Sequence, residues 1–403
     1  MAVRVIFFTY AYPPLKYPRS IQISRLVQYS DHEIRVVCCE DDSPKDFTIS
    51  CDVNGKPVEI VAVKKKPFSF FKPAHLLDWM LLPDQHRSWA LGTADFLLRS
   101  SQVSSGNLLV TFGQPMSVHL AGLKIKRAMG VPWVAHFSDP WADSPYRHGV
   151  IKGWLNNILE RLVIFEADRL VFTSQETVDL VMSKYPAPWG RKAVVIPHAY
   201  DPSRYKKAPP EHDGFNLRYI GNFYGTRTPA PLIHALIKLC QDEPEVLRGV
   251  WFELIGNTES RITIPHELPP GLLSVCPPVD YSTSLDLMQS ADLLLVIDAP
   301  FERSVFLPSK LIDYIGAARP ILAITPPGPA AELVTRLGGF VADPRNPCEI
   351  AQKLTRAIKS VREAKPRFWG SERVRKEFEA PVVASRMDLL INELNPAAHQ
   401  DGS

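Results

Sequence analysis

The sequence predicts an α/β protein built from two doubly wound domains. Apolar, β-branched segments alternate with amphipathic helical segments along the 403 residues, as a parallel sheet with crossover helices requires. The alternation stops in segment 197–213, which is rich in proline and charge and is typical of an interdomain linker, and then starts again. The length therefore fits two domains, 1–200 and 201–377, better than one. We expect a cleft between the carboxyl ends of their strands.

In the first half, short apolar runs predict strands, and longer segments with apolar residues three and four apart predict helices. The strands are expected at 3–10, 34–39, 58–63, 108–112, 131–137, 170–173 and 194–196. The helices are expected at 20–29, 116–129 and 151–167.

The second half repeats this rhythm. Strands are expected at 216–220, 251–255, 293–297 and 321–325. Helices are expected at 229–240, 282–290, from 310 onward, and at 329–337, 347–360 and 371–394. Strand and helix thus alternate in both halves, and both sheets should be parallel.

Composition excludes several classes of protein. The content of 45% hydrophobic and 22% charged residues is that of a globular chain. The net charge is +3, divided as +5 for residues 1–200 and −2 for the remainder, which is too weak for a nucleic-acid-binding protein. The six cysteines contain no Cys-x-x-Cys pair, so we expect reduced thiols and no zinc site. We expect neither a signal peptide nor a membrane span, hence a soluble or peripheral protein.

Segment 306–325 contains the most informative pattern in the chain. Pro308 and Ser309 predict the start of a short helix, with Ser309 as its N-cap. Lys310 in the first turn, at a helix N-terminus, would attract phosphate, and Asp313 on the same face could accept hydrogen bonds from ribose hydroxyls. The alternative is a capped surface helix with an exposed ion pair.

The same residues resemble a known family. Segment 308–314 reads Pro-Ser-Lys-Leu-Ile-Asp-Tyr, and 319–322 reads Arg-Pro-Ile-Leu. Together they resemble the donor-site helix of glycosyltransferase family 4, in its Pro-Ser-Lys variant. The resemblance implies the GT-B fold, an N-terminal acceptor-side domain, a C-terminal donor domain, and a C-terminal helix near 378–395 that packs back on the first domain. It also implies donor contacts from Ser309, Lys310, Leu311 and Asp313.

A glycine-containing loop at 219–227 follows a predicted strand and is similar to the phosphate loop of that family. Gly221 permits a tight turn, and Arg227 could hold a pyrophosphate through two parallel hydrogen bonds. The family usually has a second cation in this loop, but Asn222 stands there, so Lys310 is expected to replace it. The alternative is a surface arginine. By the same resemblance, the segment with Pro278 and Val279 would read the base.

One departure from the family concerns its two acidic residues, which lie eight positions apart. Asp313 aligns with the second, whereas the first falls on Val305, which cannot bind a sugar hydroxyl. Glu302 is a substitute near in sequence.

In the first domain, segments 115–122 and 133–141 resemble the same family. A strand would deliver Ser138 and Asp139 to the cleft, and Asp139 is the better candidate for a contact with sugar or acceptor. His136, His119 and Arg19 are further candidates. The alternatives are that both histidines belong to the core and that Asp139 only caps a turn.

The resemblance implies a retaining, metal-independent glycosyl transfer from a UDP- or GDP-linked sugar to a glycan or lipid-linked glycan, with no cofactor. Glu40 and the two aspartates that follow it indicate a solvated loop rather than a metal site. Two alternatives stay open. One is an isomerase such as a nucleotide-sugar 2-epimerase, and the other is a non-catalytic, sugar-nucleotide-binding partner subunit.

Segment 64–82 contains closely spaced lysines and aromatic residues. This combination suits an anionic membrane surface and predicts peripheral contact with the cytoplasmic face of a membrane, where a lipid-linked acceptor would be found. The alternative is that the aromatic residues belong to the core and the lysines are merely solvated.

Overall fold

The computed structural model describes residues 4–15, 17–40, 52–53, 56–64, 82–143, 149–206 and 214–395. The chain forms two compact units. Unit 1 comprises residues 1–198 and 380–403, and unit 2 comprises residues 199–379. The sequence-based boundaries were 200/201 and 377/378. Most of the lysine-rich stretch 64–82, the two aspartates after Glu40 and residues 207–213 of the expected linker lie outside the described residues.

Unit 1 contains one large parallel sheet covered by helices. The strands of this sheet are β1 (Arg4–Phe8), β2 (Glu33–Glu40), β5 (Glu59–Lys64), β6 (Leu108–Phe112), β7 (Trp133–Phe137), β8 (Arg169–Phe172) and β9 (Ala193–Val195). A separate antiparallel pair consists of β3 (Asp52–Val53) and β4 (Lys56–Pro57). The helices of unit 1 are α1 (Pro18–Tyr29), α2 (Arg87–Arg99), α3 (Ser117–Met129), α4 (Val150–Glu166), α5 (Gln175–Met182), α6 (Ala187–Gly190) and, from the end of the chain, α13 (Ala380–Glu393). The described strands follow the order β5-β2-β1-β6-β7-β8-β9.

Unit 2 repeats the architecture. Its strands are β10 (Phe215–Ile220), β11 (Val250–Ile255), β12 (Leu273–Cys276), β13 (Leu293–Ile297), β14 (Ile321–Ile324) and β15 (Phe340–Ala342), in the order β12-β11-β10-β13-β14-β15. Its helices are α7 (Ala230–Asp242), α8 (Tyr281–Gln289), α9 (Ser309–Ala317), α10 (Pro329–Leu337), α11 (Pro347–Ala364) and α12 (Glu372–Lys376).

The central strands are buried on both faces, which explains their continuous apolar sequences. All five residues of β6 and all five of β13 are buried. The cores lie between the sheets and their helices. In unit 1 the aromatic side chains of Phe8, Trp133 and Phe172 contribute to the core, whereas aliphatic residues dominate unit 2.

The predicted parallel α/β architecture is confirmed in both units. The sequence analysis missed α2, although its buried residues Trp89, Ala90, Thr93 and Leu97 have helical spacing. It also missed β12 and β15, which are only four and three residues long. The helix expected at 371–394 is two helices, because Pro381 can occupy only the first turn of α13 and thereby ends α12 before it.

Helix α13 packs on α1 in unit 1. The buried carboxylate of Asp388 accepts hydrogen bonds from the Ser30 hydroxyl at 2.6 Å and from the Asp31 amide at 2.8 Å. These bonds tie the segment that follows α1 to α13.

Each sheet has a point where the strand order reverses direction. In unit 1 this point lies between β1 and β6, and in unit 2 it lies between β10 and β13. Loops that leave the carboxyl ends of such strands diverge and leave a crevice, where open α/β sheets bind their ligands. None of the described helices is both long and apolar enough to cross a membrane.

Candidate functional site

In unit 2, two buried charged side chains meet at the reversal point of the sheet. Asp298 directly follows β13, and Arg227 lies in the loop that leaves β10. The Arg227 guanidinium donates a hydrogen bond to the Asp298 carboxylate, and both side chains are almost fully buried. Asp298 also accepts a hydrogen bond from the Thr325 hydroxyl at 3.3 Å. The arginine is therefore held at the edge of the sheet and is not the free surface side chain of the alternative interpretation.

The electrostatic environment keeps Arg227 charged. Burial lowers its pKa, but Asp298, Tyr224 and Tyr219 outweigh this effect and raise the pKa above its ordinary value. A second guanidinium nitrogen of Arg227 donates to the Tyr224 hydroxyl at 3.1 Å. Its Nε is buried and has no hydrogen-bond partner among the described residues. One donor of a fixed cation thus remains available to a ligand.

Lys310 is a second buried cation in the same site. Its Nζ lies 3.8 Å from the centroid of the Tyr219 ring and, within the described parts of the chain, has no hydrogen-bond acceptor. Burial and the nearby Arg227 hold the pKa of Lys310 well below its usual value, against the attraction of Asp298. An anion placed here would receive hydrogen bonds from the ammonium and would favour its charged form.

The backbone at Gly221 passes close to the Lys310 side chain and to the backbone at Gly256, and the missing side chains of these glycines make the close approach possible. A Cβ on Gly221 would lie 3.1 Å from Lys310 Nζ, and a Cβ on Gly256 would lie 2.1 Å from the Gly221 carbonyl oxygen. The Asn222 side chain joins the two loops, since its Oδ1 accepts a hydrogen bond from the Asn257 amide at 3.0 Å. Gly221 and Asn222 therefore shape the loop beneath Lys310.

Helix α9 carries the predicted donor-site residues. It begins at Ser309, with Pro308 at the N-cap position and no side-chain cap, so the expectation of a Ser309 cap is wrong. Since the Pro308 carbonyl already accepts the Leu311 amide at 3.0 Å, the helix starts one residue earlier than expected. Leu311 is fully buried, and the helix is a core element rather than a surface helix.

Asp313 does not pair with Lys310 as an exposed ion pair would. Its Oδ1 accepts a hydrogen bond from the Tyr281 hydroxyl at 3.0 Å, and its backbone carbonyl accepts one from the Tyr205 hydroxyl at 3.0 Å. The carboxylate is mostly buried, with 8% of the residue exposed. The ribose role of Asp313 stays a prediction.

The remaining donor-side candidates lie in two loops of unit 2. Pro278 and Val279 are exposed between β12 and α8, two residues before Tyr281. Glu302 is exposed and Val305 is half-buried in the loop between β13 and α9. That loop is fixed at Ser304, whose amide donates to the Pro327 carbonyl at 2.9 Å.

In unit 1, Arg19 on α1 is a buried cation that contacts His136 on β7. Its guanidinium donates to His136 Nδ1 at 2.9 Å and to the His136 carbonyl at 3.4 Å. Burial lowers the pKa of Arg19 to about 10, although Asp139 acts in the opposite direction. Burial and the Arg19 charge lower the pKa of His136 far below its ordinary value. His136 is thus a neutral acceptor for Arg19, which matches the interpretation as a core histidine.

His119 on α3 is also a neutral, buried histidine. Its Nδ1 contacts the Thr111 hydroxyl at 2.8 Å, and that hydroxyl in turn accepts a hydrogen bond from the Trp133 indole at 2.9 Å. The Thr111 hydroxyl can donate to Nδ1 while it accepts from Trp133, and in that arrangement the proton of His119 lies on Nε2. Burial, with a contribution from Arg19, lowers the pKa of His119 to about 3. Its Nε2 has no partner among the described residues.

Asp139 and Ser138 lie just after β7, as expected from the sequence. The Gln114 side-chain amide donates a hydrogen bond to the Asp139 carboxylate. The Ser138 hydroxyl is buried without a partner in the described structure. Gln114 has a φ of 62°, a left-handed backbone that residues with side chains rarely adopt outside functional loops. The contact of Asp139 with a sugar or acceptor and its alternative role as a turn cap both stay predictions.

The structure brings several residues to the sites that the sequence analysis did not name, above all Asp298, Tyr219, Tyr281 and Gln114. A signal existed for two of them, because Asp298 directly follows and Gln114 closely follows a buried, predominantly apolar strand. The roles of Tyr219 and Tyr281 depend on tertiary contacts, which no local pattern reveals. Among the described residues, no group of His, Cys, Asp and Glu side chains is arranged to hold a metal ion.

Comparison with known proteins agrees with this architecture. Residues 22–199 match the family model described as "Glycosyl transferase 4-like domain". Comparison with curated protein sequences gives no match.

Solved structures match over almost the entire chain. HepE from Anabaena in complex with UDP has 15% identity and a TM-score of 0.66, over 97% of this chain and 100% of that one. Sucrose-phosphate synthase from Thermosynechococcus elongatus has 13% identity and a TM-score of 0.71, over 98% and 100%. A structure from E. coli titled trehalose-6-phosphate, bound with UDP-2-fluoro glucose, has 12% identity and a TM-score of 0.67, over 98% and 99%.

The fold is that of the GT-B glycosyltransferases. The expected fold class is thereby confirmed, and residues 22–199 bear out the resemblance at the level of a glycosyl transferase 4-like domain. The Pro-Ser-Lys variant, the retention of configuration and the role of each site residue stay predictions.

Proposed function

We propose that the protein transfers a glycosyl group from a nucleotide-sugar donor to a glycan or lipid-linked glycan, with retention of the anomeric configuration and without a metal ion. The observation that carries this proposal is the pair of buried cations, Arg227 and Lys310, beside Gly221 in unit 2. Lys310 Nζ has no acceptor among the described residues, and Arg227 retains an unpaired Nε. Burying two such cations side by side costs free energy that an anionic ligand would recover.

The ligand that best fits these cations is the diphosphate of the donor. During transfer, the bond between the sugar C1 and the diphosphate oxygen breaks, and negative charge develops on the departing nucleoside diphosphate. Arg227 and Lys310 would stabilise that charge in a site with little water, where fixed cations are most effective. The acceptor hydroxyl forms the new bond to C1 on the same face, and its proton goes to a phosphate oxygen of the leaving group.

The rest of unit 2 would hold the nucleoside. Asp313 is assigned to the ribose hydroxyls, and the backbone near Pro278 and Val279 is assigned to the base. Ser309 contributes its first-turn amide of α9, whereas the Leu311 amide is already bonded to the Pro308 carbonyl and Leu311 contributes by packing α9 into the core. UDP or UDP-2-fluoro glucose is bound in the HepE and E. coli structures that share this fold, which favours a uridine nucleotide over GDP as the first donor to test.

In unit 1 we assign Asp139 to the sugar or acceptor and Ser138 to a neighbouring hydroxyl group. Arg19 and His136 act together, because the arginine donates to the ring nitrogen of the histidine. His119 is assigned a hydrogen bond from its Nε2 to the sugar or acceptor. The expected location is the cytoplasm, with peripheral contact at the inner face of the membrane.

The test is nucleotide binding by calorimetry. Wild type should bind UDP or GDP more tightly than the corresponding monophosphate, because the diphosphate reaches both cations. Equal affinity for diphosphate and monophosphate would contradict the proposed diphosphate site. Transfer is then followed as nucleoside diphosphate released from the donor in the presence of acceptor. An isomeric nucleotide sugar formed without acceptor would instead identify an epimerase, and binding without turnover would identify a non-catalytic subunit.

A further inference from the structure

Helix α4 of unit 1 exposes an apolar face to solvent. The exposed apolar residues recur three or four positions apart, as one side of a helix requires. They are Val150, Ile151, Trp154, Ile158, Leu162 and Phe165, which we call the α4 stripe. Ile151 is 75% exposed, Trp154 62% and Phe165 54%. A continuous apolar face of this kind on a globular protein marks an interaction surface.

The other side of α4 fixes the orientation of the helix, so the stripe cannot roll into the core. Glu160 is fully buried and accepts hydrogen bonds from the Ala142 amide at 2.8 Å and from the Tyr185 hydroxyl at 2.7 Å. Asn156 accepts one from the Trp141 indole at 3.2 Å. Rotation of the helix would break these buried bonds and leave a carboxylate without partners, which is costly.

The charges around the stripe are basic. Of the charged residues of α4, Arg161 is exposed, Lys152 and Glu166 are half-buried, and Glu160 is buried. Lys192 lies 5.9 Å from the Phe165 ring and donates to the Phe165 and Ala167 carbonyls at 2.7 and 3.0 Å. The acidic residue at the end of the helix, Glu166, is paired with Arg127 at 2.8 Å. The stripe thus combines apolar side chains with the exposed guanidinium of Arg161 and with Lys192, whose charge Asp168 and Glu166 partly offset.

The combination of apolar and basic residues on the stripe distinguishes two occupants, a second copy of the chain and an anionic membrane. A symmetric contact between two copies of α4 would bring two Arg161 side chains into an apolar interface to which α4 adds no free carboxylate, which is unfavourable. A bilayer with anionic lipids accepts the apolar residues among its acyl chains and the cations among its headgroups. Tryptophan and phenylalanine are common at that boundary.

We propose that the α4 stripe docks unit 1 on an anionic membrane surface. The helix lies parallel to the bilayer, with the apolar residues inserted and Arg161 and Lys192 at the level of the phosphates. The residues of the stripe differ from those of segment 64–82, from which membrane contact is expected on sequence grounds and most of which lies outside the described residues. The inference rests on the membrane contact of the proposed function and names the surface that makes it. Sedimentation with vesicles and nucleotide binding by unit 2 are measured separately, so the failure of one is distinguishable from the failure of the other.

The test is co-sedimentation of the full chain with phosphatidylcholine vesicles, with and without phosphatidylglycerol. The variant Trp154→Asp/Phe165→Asp removes the two aromatic anchors, and Leu389→Asp is the matched control because Leu389 of α13 is also 62% exposed. Wild type and the control should sediment with the anionic vesicles. The double variant should lose at least about tenfold in partitioning, because each anchor contributes the transfer of a large apolar side chain.

Arg161→Glu provides a second, single-site variant that preserves the apolar face and is not expected to disturb folding. It should reduce binding to anionic vesicles at low salt and change little at high salt, where charges are screened. The inference is overturned if wild type ignores anionic vesicles, or if the double variant binds as well as wild type. Light scattering that shows a wild-type dimer and a monomeric double variant would also overturn it, because the occupant would then be a second copy. Loss of binding only in Lys64/Lys65/Lys66→Glu would assign the contact to segment 64–82 instead.

Discussion

The ammonium group of Lys310 lies 3.8 Å from the centroid of the Tyr219 ring, and no acceptor in the described structure forms a hydrogen bond with it. A cation over an aromatic face is partly stabilised by the ring, but its three N–H groups are left without partners. Lys310 is therefore poised to bind an anion rather than to stabilise the free fold. This relationship motivates the first two predictions.

Arg227→Ala and Lys310→Ala should each weaken nucleoside diphosphate binding. The loss of one charge-assisted hydrogen bond is worth about 1.5–3 kcal/mol, which corresponds to tenfold or more in affinity. The measurement is calorimetric titration with UDP and GDP, with thermal melts to show that the variants are folded. Lys310→Arg is the control that retains the charge. Unchanged affinity in both alanine variants would refute the diphosphate assignment.

Lys310→Met should stabilise the ligand-free protein and flatten its pH dependence. Because burial and Arg227 lower the pKa of Lys310 in the folded state, the unfolded chain binds more protons between that lowered pKa and the ordinary value near 10.5. Stability of wild type therefore rises with pH in this window, and methionine removes that contribution. Urea unfolding at several pH values measures the effect. Identical slopes for both proteins would argue against a lowered pKa of Lys310 in the folded state.

Asp298→Ala should destabilise unit 2 by about 3 kcal/mol, because it leaves the buried Arg227 without its carboxylate. Adding Arg227→Met should recover most of this loss, since the unpaired charge is then gone. Unfolding free energies of the two single variants and the double variant form the cycle. Asp242→Ala, which breaks the exposed pair between Lys238 and Asp242, is the control and should have a much smaller effect. Strict additivity at Arg227 and Asp298 would show that the two residues do not act as a pair.

Asp313→Asn should reduce affinity for a ribonucleotide more than for its 2′,3′-dideoxy analogue, which lacks the hydroxyls assigned to this carboxylate. We expect a loss of about tenfold for the ribonucleotide, the size of one hydrogen bond to a charged group. Tyr281→Phe serves as a control, because it removes the hydroxyl that donates to Asp313 while retaining the carboxylate. Equal losses for both nucleotides would remove the ribose role.

Glycosyl transfer should survive chelation of divalent metals by EDTA. In the proposed mechanism Arg227 and Lys310 neutralise the leaving diphosphate, which is the role that a metal ion has in metal-dependent enzymes. The initial rate is measured before and after EDTA, and again after addition of magnesium or manganese. A rate that falls to background with EDTA and returns with metal would contradict this mechanism.

Much of the fold was predictable because it depends on local patterns. Strand β13 is a short, wholly apolar run, β6 is apolar except for Thr111, and helices such as α7 and α11 have regular apolar spacing. The reappearance of this rhythm after residue 213 indicated a second unit. Short edge strands such as β15 carry too few residues to show a pattern, and α2 was missed although its buried residues have helical spacing.

The site was predictable only in part. The cations and glycines of 219–227 and 308–313 were found because helix starts and tight turns leave marks in the sequence. Asp298 was missed because its importance comes from the Arg227 guanidinium, 71 positions away in the chain. The sequence places Tyr219 near the end of a strand, and only the structure shows that its ring faces Lys310.

The two ends of unit 2 are held side by side. The Tyr200 amide donates to the Phe378 carbonyl at 2.9 Å, and Tyr200 and Glu379 form a β-bridge. Since α13 returns the chain to unit 1, unit 2 is in effect a long insertion between positions 198 and 380. Because the two ends of this insertion lie next to each other, another insertion with equally close ends could connect to the same two positions of the surrounding chain. Evolution, or an engineer, could therefore exchange unit 2, with the proposed donor site that it carries, as one continuous segment.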